Sequence, residues 1–544
     1  MVPEWISLLL HRIVGSTPSL PRMTTGDNED NHTMIQFFEW ESLPPPGISW
    51  WKHFENEIPL LASLGCTQVW LPPPNKAMVP EGRGYDAYDL VSSMERSSIV
   101  SLRSCLSHNK WDLGEFKQKG TTATRWGTKE EFLQCISTAK SHGIGILLDA
   151  VLNHKLGADR TERFQAVEVH PDNRLLDLGP PKEIEGWTAF DFPGRGDKYS
   201  TMKWNQSHFT GVDWDQAAKR TAIYKIVGGG HKGWSNKVDS ELGNYDYLLG
   251  IDIDLRHPEV KKDYLDWAAW VLKETGCAGL RLDACKHMDR DFLRDFIKVA
   301  RDQPGFERAF VVSEFWIDSV KKIERYMAIL NAPVSMFDVP LHYNFHRAST
   351  QGSEYDLRRI LKGSLVDRRP LDAVTFVDNH DTAIGCSLES WVGREFKLQA
   401  YAVILLRPDG HPCVYHADLY DEVLASKVQT LMKARAKWAY GKTTDYFSDG
   451  DRNCIGWVRH GDGDSSIKPS RHPEGCVVLC SNADATKHST PFQKDMVVGV
   501  RYSTRAWKNI MGDEVDTAAR VTISSEGRGV FTCPPNGVAV WVPE

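Results

Sequence analysis

Gly279-Leu280-Arg281-Leu282-Asp283 is an apolar, strand-like run that ends in a carboxylate. Three other stretches also join an apolar run to acidic residues, at 149–154, 310–314 and 374–381. Placing a carboxylate at the tip of a buried strand is unfavourable unless the group is paired with a partner or has a functional role. Four such tips, far apart in the chain, predict one site built from the ends of several parallel strands. Catalytic residues collect at that position in a TIM barrel, so the sequence predicts an enzyme.

Strand-like and helical patterns alternate from about residue 34 to 420, as repeated βα units require. Helical stretches at 129–142 and 258–275 carry apolar residues at three-to-four spacing and stop at Gly143 and Gly276. The candidate strands number eight, which is enough to close a barrel, and lie at 34–40, 67–72, 144–149, 279–283, 309–313, 335–339, 373–377 and 411–415.

Two regions depart from this alternation. About 100 residues rich in Gly, Asp, Trp and Pro separate the third and fourth strands, which is too long for a loop. Short alternating runs after about residue 445 predict an antiparallel domain. We therefore predict a (β/α)8 barrel with a β-rich domain inserted after strand 3 and a C-terminal β-sandwich. The predicted boundaries are a loosely ordered leader at 1–30, the barrel at 31–154 and 251–445, the insert at 155–250 and the C-terminal domain at 446–544.

The composition of the chain indicates its cellular location and excludes some classes of binding partner. The net charge of −7 is mild and spread out, which argues against nucleic acid. Eleven cysteines without regular spacing indicate reduced thiols in an intracellular protein. The apolar run at 5–10 is short for a signal peptide, and no 18-residue apolar span follows. We expect a cytoplasmic monomer that does not bind membranes.

Asp283, Glu314 and Asp381 suit glycoside chemistry. Retaining cleavage needs one carboxylate to attack the anomeric carbon and a carboxylic acid about 5 Å away to protonate the leaving oxygen. Arg281 points to the same face of its strand as Asp283 and would hold that group ionised, as a nucleophile requires. Glu314 has apolar neighbours at 315–316, which favour the protonated form of a general acid.

The stretches 149–154, 279–287, 312–316 and 376–381 resemble the conserved regions of the α-amylase family (glycoside hydrolase family 13), in order and at fitting distances. Further stretches at 187–196, 243–248 and 337–343 resemble its liquefying-type bacterial and intracellular fungal branch. The resemblance implies hydrolysis of internal α-1,4 bonds in starch, glycogen or maltooligosaccharides through a glycosyl-enzyme intermediate. It assigns Asp283 as nucleophile, Glu314 as acid/base and Asp381 as transition-state stabiliser.

The resemblance also implies substrate and metal ligands. Tyr85 would stack on the sugar ring. The other implied substrate-binding residues are His154, Arg281 and His380 at the cleavage point, and Lys286, His287 and Trp316 on the leaving-group side. A Ca²⁺ ion, which prefers hard oxygen ligands, would bind the side chains of Asn153, Asp246 and Asp252 and the backbone oxygen of His287.

The chain departs from the family pattern in two places. Thr210 and Ser235 stand where the bacterial branch has aspartates that build a clustered cation site. We therefore expect one strong calcium site and lower heat resistance. The serine-rich stretch 91–110 interrupts an otherwise continuous family motif just after Tyr85, as a disordered extension or a gene-model artefact would.

Two alternatives stay open from the sequence. The same machinery can pass the glycosyl group to another sugar, as an intracellular 4-α-glucanotransferase acting on maltooligosaccharides or in cell-wall α-glucan synthesis. The chain could also be a non-catalytic binding relative, although such a protein would usually have lost one of the three acids.

Overall fold

A computed structural model describes residues 31–88, 111–463, 470–512 and 520–544. The predicted leader 1–30 and the interrupting stretch 91–110 lie outside the described residues. Among the described helices, none combines the length and the apolar character that crossing a membrane requires.

Eight parallel strands close into a barrel, which confirms the predicted fold class. The first strand pairs with both the second and the eighth, and this pairing closes the ring. In chain order the barrel strands are Met34–Gln36, Gln68–Trp70, Gly145–Ala150, Gly279–Leu282, Phe310–Ser313, Ser335–Phe337, Ala373–Phe376 and His411–Tyr415.

Helices between the strands begin and end on local signals. The Thr128 side chain and Glu131 form a reciprocal capping box at the start of one helix. Gly276 ends another helix with φ 70°, a left-handed conformation that glycine adopts without a Cβ penalty. The α-helices are Trp50–Ser63, Lys129–Ser141, Pro258–Thr275, Arg290–Arg301, Val320–Leu330, Val339–Gln351, Leu365–Arg368, Arg394–Leu406, His416–Leu419 and Ala425–Trp438.

Seven strands between the third and fourth barrel strands form a separate sheet. They are His154–Lys155, Arg160–His170, Asn173–Asp177, Lys182–Ala189, Phe209–Asp215, Arg220–Ile226 and Ile251–Ile253. The first and last of these strands pair with each other, with Asp252 opposite His154. The sheet therefore leaves and rejoins the barrel at adjacent points.

The C-terminal region contains a six-stranded and a two-stranded antiparallel sheet. The six strands are Thr443–Tyr446, Cys454–Arg459, Cys476–Ser481, Ala506–Asn509, Arg520–Thr522 and Val538–Pro543, and the pair is Phe492–Val497 with Arg528–Cys533. Met496, Trp507, Phe531 and Trp541 belong to one buried apolar cluster to which both sheets contribute. One of the short alternating runs that predict strands after residue 445 lies at 496–500, but the strand observed there spans Phe492–Val497. The predicted domain boundaries themselves stay predictions.

Close packing between the fourth and fifth barrel strands depends on Gly279. A Cβ at this position would lie 2.0 Å from the Phe310 carbonyl oxygen, well inside van der Waals contact. Along the same strand Arg281 pairs with Asp149 of the third strand on one side and with Val312 of the fifth on the other. This register brings the acidic tips of three strands together.

Candidate active site

The Arg281 guanidinium lies at the centre of the acidic strand tips. Its Nη1 donates to Asp149 Oδ1 at 2.9 Å and to Asp283 Oδ1 at 2.6 Å. Its Nη2 donates to Glu314 Oε2 at 2.6 Å. Because Asp283 and Glu314 bind the two terminal nitrogens of one planar group, both carboxyl groups face the same small space, an arrangement compatible with the spacing of a retaining glycosidase.

Exposure increases from the base of the site to its mouth. The side chains of Arg281 and Asp149 are 1% and 0% exposed, whereas those of Asp283 and Glu314 are 12% and 10% exposed. Asp381, at 22%, is the most open of the five groups. The two deepest groups therefore form a fixed base, and the three predicted catalytic acids remain accessible to a ligand.

Four carboxyl groups share this site with one guanidinium, and their mutual repulsion favours proton uptake. Burial raises the pKa of Asp283 well above its ordinary value, Arg281 opposes this shift, and the charges of Glu314, Asp149 and Asp381 add to it. Burial and then the charge of Glu314 raise the pKa of Asp381 to about 7. The predicted effect of Arg281, which favours ionised Asp283, is therefore opposed by burial and by three neighbouring acids.

Aromatic rings form one wall of the site. Tyr85 stacks on His380 at 5.0 Å between ring centroids, and Trp40 stacks on both rings, at 5.7 and 5.5 Å. The Tyr85 hydroxyl donates to Asp149 Oδ2 at 2.7 Å, which fixes the ring. Flat ring faces of this kind suit the apolar face of a sugar.

His380 has a defined tautomer. Gln36 Nε2 donates to His380 Nδ1 at 3.2 Å, so the proton of the neutral ring lies on Nε2. That nitrogen lies 3.4 Å from Asp381 Oδ2. Burial lowers the pKa of His380 well below its ordinary value, with the charge of Arg281 adding to the effect. His380 is therefore a neutral donor beside the third acid.

The residues predicted on the leaving-group side form a second group. Lys286 Nζ donates to the Trp316 carbonyl oxygen and to Glu241 Oε2, both at 3.1 Å. His287 Nδ1 lies 2.8 Å from the Tyr245 carbonyl oxygen, and burial lowers the pKa of His287 to about 3. The His287 ring is therefore held against the Tyr245 backbone.

The predicted metal ligands include two buried carboxylates. Burial raises the pKa of Asp252 well above its ordinary value, and the charge of Asp246 adds to the shift. Burial likewise raises the pKa of Asp246 to about 8. Asn153 Nδ2 lies 3.3 Å from both Asp252 Oδ1 and His154 Nδ1, which places the predicted substrate ligand His154 beside the metal ligands. Two buried, mutually repelling carboxylates beside an amide provide hard oxygen atoms that suit Ca²⁺.

The two neutral replacements contact this carboxylate pair. The Thr210 hydroxyl donates to Asp252 Oδ2, and the Ser235 backbone N–H donates to Asp246 Oδ2 at 2.7 Å. The Ser235 hydroxyl donates to a third acid, Asp289, at 2.8 Å. Both residues thus lie at the carboxylates, but they supply donors where an aspartate would add negative charge.

A different group, His208, His257 and Glu259, brings three possible ligand atoms within 4.8 Å of one another. However, the Asn205 N–H donates to His208 Nδ1 at 3.0 Å. The proton of neutral His208 therefore lies on Nε2, 3.2 Å from Glu259 Oε2. His208 is therefore hydrogen-bonded to Glu259, whereas His257 meets the His208 ring edge-on at 4.7 Å between ring centroids.

Sequence reasoning missed several residues of the site. Asp149 was noted as a strand tip without a role, yet it accepts hydrogen bonds from Trp70 Nε1 at 2.8 Å, from Tyr85 and from Arg281. The strand-tip signal that identified Asp283 could have identified Asp149. Trp40 ends the candidate strand predicted at 34–40, but the observed strand stops at Gln36 and Trp40 lies in the turn that follows it.

Comparisons with known proteins identify the family and the fold of this chain. The family model for the alpha amylase catalytic domain matches residues 51–468. Glucan 1,4-alpha-maltohexaosidase of Bacillus sp. strain 707 is 40% identical over 524 residues, covering 95% of this chain and 93% of that protein. Cytoplasmic alpha-amylase of Escherichia coli K12 is 35% identical over 532 residues, covering 94% and 99%. A crystal structure of Anoxybacillus alpha-amylase shares the fold, with a TM-score of 0.57, 17% identity and coverage of 94% and 97%.

Proposed function

We propose a function that follows from one premise, that this chain belongs to the α-amylase family, glycoside hydrolase family 13. The protein is a glycosidase that hydrolyses internal α-1,4-glucosidic bonds of starch, glycogen or maltooligosaccharides with retention of configuration. The observation that carries the residue assignment is the sharing of one buried guanidinium by Asp283 and Glu314. Two carboxyl groups held face to face in this way can act on opposite sides of one anomeric carbon.

In the proposed mechanism Asp283 attacks the anomeric carbon and Glu314 donates a proton to the leaving oxygen. The bond between the anomeric carbon and the leaving oxygen breaks, and the sugar becomes covalently attached to Asp283. Glu314, now ionised, removes a proton from water while the water oxygen attacks the anomeric carbon. The bond from that carbon to Asp283 breaks, and the sugar is released with its original configuration. Asp381, with the neutral Nε2–H of His380 beside it, would bind sugar hydroxyls and stabilise the positive charge that develops on the ring.

Calcium belongs to this proposal as a structural ion. The side chains of Asn153, Asp246 and Asp252 and the backbone oxygen of His287 would hold it, and its charge would offset the repulsion between the two aspartates. Asp252 lies on the strand that returns from the inserted sheet, whereas His287 follows the fourth barrel strand. The ion would therefore join the inserted sheet to the barrel and shape the cleft between them.

The proposed surroundings of the enzyme are the cytoplasm and an α-glucan substrate, with the chain acting as a monomer. Support for the location comes from the relative named a cytoplasmic amylase and from the ten described cysteines, all of which are free. Sedimentation of the purified protein tests the oligomeric state.

Replacement of the proposed nucleophile tests the function. Asp283→Asn should lower kcat on amylose by about 10⁴-fold or more, whereas Asp409→Asn, before the eighth strand at the opposite end of the barrel, should leave it unchanged. On maltopentaose the parent enzyme should give only shorter products, first released as α-anomers. Full activity in Asp283→Asn contradicts the assignment, and longer oligosaccharides from the parent indicate a glucanotransferase.

A further inference from the structure

A buried ammonium group lies one element away from the catalytic acids. Lys397, on the helix Arg394–Leu406, is 0% exposed. Its Nζ lies 2.5 Å from Asp418 Oδ1, 3.1 Å from Asp378 Oδ2 and 3.2 Å from the centre of the Trp391 ring. Burying an ammonium is strongly unfavourable without paired charges, so this lysine has a specific set of partners and a single arrangement.

Asp378 connects this ammonium to the turn that carries Asp381. The Thr382 hydroxyl donates to Asp378 Oδ1 at 2.9 Å and accepts from the Asn379 N–H at 3.1 Å. Asn379 Oδ1 in turn accepts the backbone N–H of Asp381 at 2.9 Å. A continuous series of hydrogen bonds therefore leads from the Lys397 ammonium to the backbone of the proposed transition-state stabiliser.

The other end of the network is anchored independently of the turn. Asp418 Oδ2 accepts from the Tyr401 hydroxyl at 2.6 Å, and Tyr401 lies on the same helix as Lys397. Asp418 thus binds the ammonium on the side away from the turn, and Asp378 binds it on the side that faces the turn. Loss of the ammonium would leave two buried carboxylates facing each other without a cation. Because the Tyr401 hydroxyl holds Asp418, their repulsion would displace Asp378.

We propose that Lys397 is a positioning residue, whose ammonium holds Asp378 so that the turn 379–382 presents His380 and Asp381 to the substrate. The inference rests on the proposed function, because it concerns the same reaction. Asp381 is proposed to stabilise the transition state. Binding of the substrate in its ground state also uses the stacked rings of Tyr85 and Trp40. A displaced turn therefore lowers kcat more than it raises KM.

Neutral and conservative variants of Lys397 test this role. Lys397→Met should lower kcat on a chromogenic maltooligosaccharide by about 10²-fold, the cost of a misplacement of about 1 Å, with KM changed less than about threefold. Lys397→Arg, which keeps a cation, should recover part of kcat. The matched control Lys494→Met removes another buried ammonium, paired with Asp449 at 2.6 Å in the C-terminal region, and should lower the Tm while kcat stays within about twofold. Each variant is assayed well below its own Tm.

A second variant keeps the inference testable if Lys397→Met does not fold. Thr382→Val removes the hydroxyl between Asp378 and the turn without changing side-chain size much, and it should lower kcat about tenfold with little effect on KM. If Lys397→Met, or Thr382→Val in its place, keeps kcat within twofold of the parent, or if Lys494→Met loses as much kcat as Lys397→Met, the network is only structural and the proposal is overturned. An inactive parent enzyme would instead refute the proposed function.

Discussion

At the scale of single residues, Arg281 opposes the protonation of the buried carboxyl groups around it. Arg281 binds three carboxyl groups, and its charge opposes the upward shift that burial and mutual repulsion impose on the pKa of Asp283. A nucleophile must be ionised, so activity should rise with pH as the carboxyl cluster loses its protons. The acidic limb of the kcat/KM profile should therefore lie above the ordinary aspartate pKa of about 3.9.

Replacing this arginine tests that dependence. Arg281→Lys keeps one charge but cannot bind three carboxyl groups at once. The pKa of Asp283 rises further, so the acidic limb should move to higher pH by about one unit, and kcat should fall by about 10²-fold or more. The control is Arg301→Lys, another buried arginine, whose Nε donates to the Ala309 carbonyl oxygen at 3.0 Å. A pH profile that is unchanged in Arg281→Lys contradicts this account.

At the scale of elements, two buried carboxylates, Asp246 and Asp252, lie where the chain of the inserted sheet returns to the barrel. Asp252 lies on the returning strand Ile251–Ile253, and the Thr210 hydroxyl from the strand Phe209–Asp215 donates to it. Hydroxyl and N–H donors partly satisfy these carboxylates. We expect one tightly bound calcium ion to complete this neutralisation, so chelation should lower the Tm.

An aspartate at the Thr210 position should increase the dependence on calcium. Thr210→Asp places a third carboxylate at Asp252, which destabilises the chelated protein and strengthens calcium binding. The difference in Tm between calcium and chelator should therefore be larger than in the parent. Thr221→Asp, at an exposed position of the same sheet, is the control. Calorimetric titration that finds two or more tight ions in the parent, or an equal Tm difference in both variants, would refute this expectation.

At the scale of the whole molecule, much of the architecture could be predicted because barrel strands have a simple signature. Each is a short apolar run that ends where a helix or a polar tip begins, and all eight were identified. Three C-terminal strands, Thr443–Tyr446, Cys454–Arg459 and Ala506–Asn509, were not predicted. Gly456 interrupts the apolar run of the second strand, and the other two, with four residues each, are too short to show a periodic pattern.

The candidate site could be predicted in part for the same reason. Asp283 and Glu314 follow barrel strands directly, so their convergence follows from the fold. The ionisation of Asp283 depends on how many charges surround Arg281, which only the packed arrangement reveals. Trp40 and Lys397 come to the site through tertiary packing, from a loop and from an outer helix. No periodic pattern or motif in the sequence links either residue to the catalytic acids.

The central claim is that Asp283 forms a covalent bond to the sugar with Glu314 as its acid/base partner. Glu314→Gln treated with α-maltosyl fluoride tests it directly, because fluoride leaves without protonation while release of the sugar still needs the missing base. Mass spectrometry should then find one maltosyl group on the peptide that contains Asp283. A label on another residue, or steady hydrolysis of the fluoride without any labelled peptide, would contradict the account.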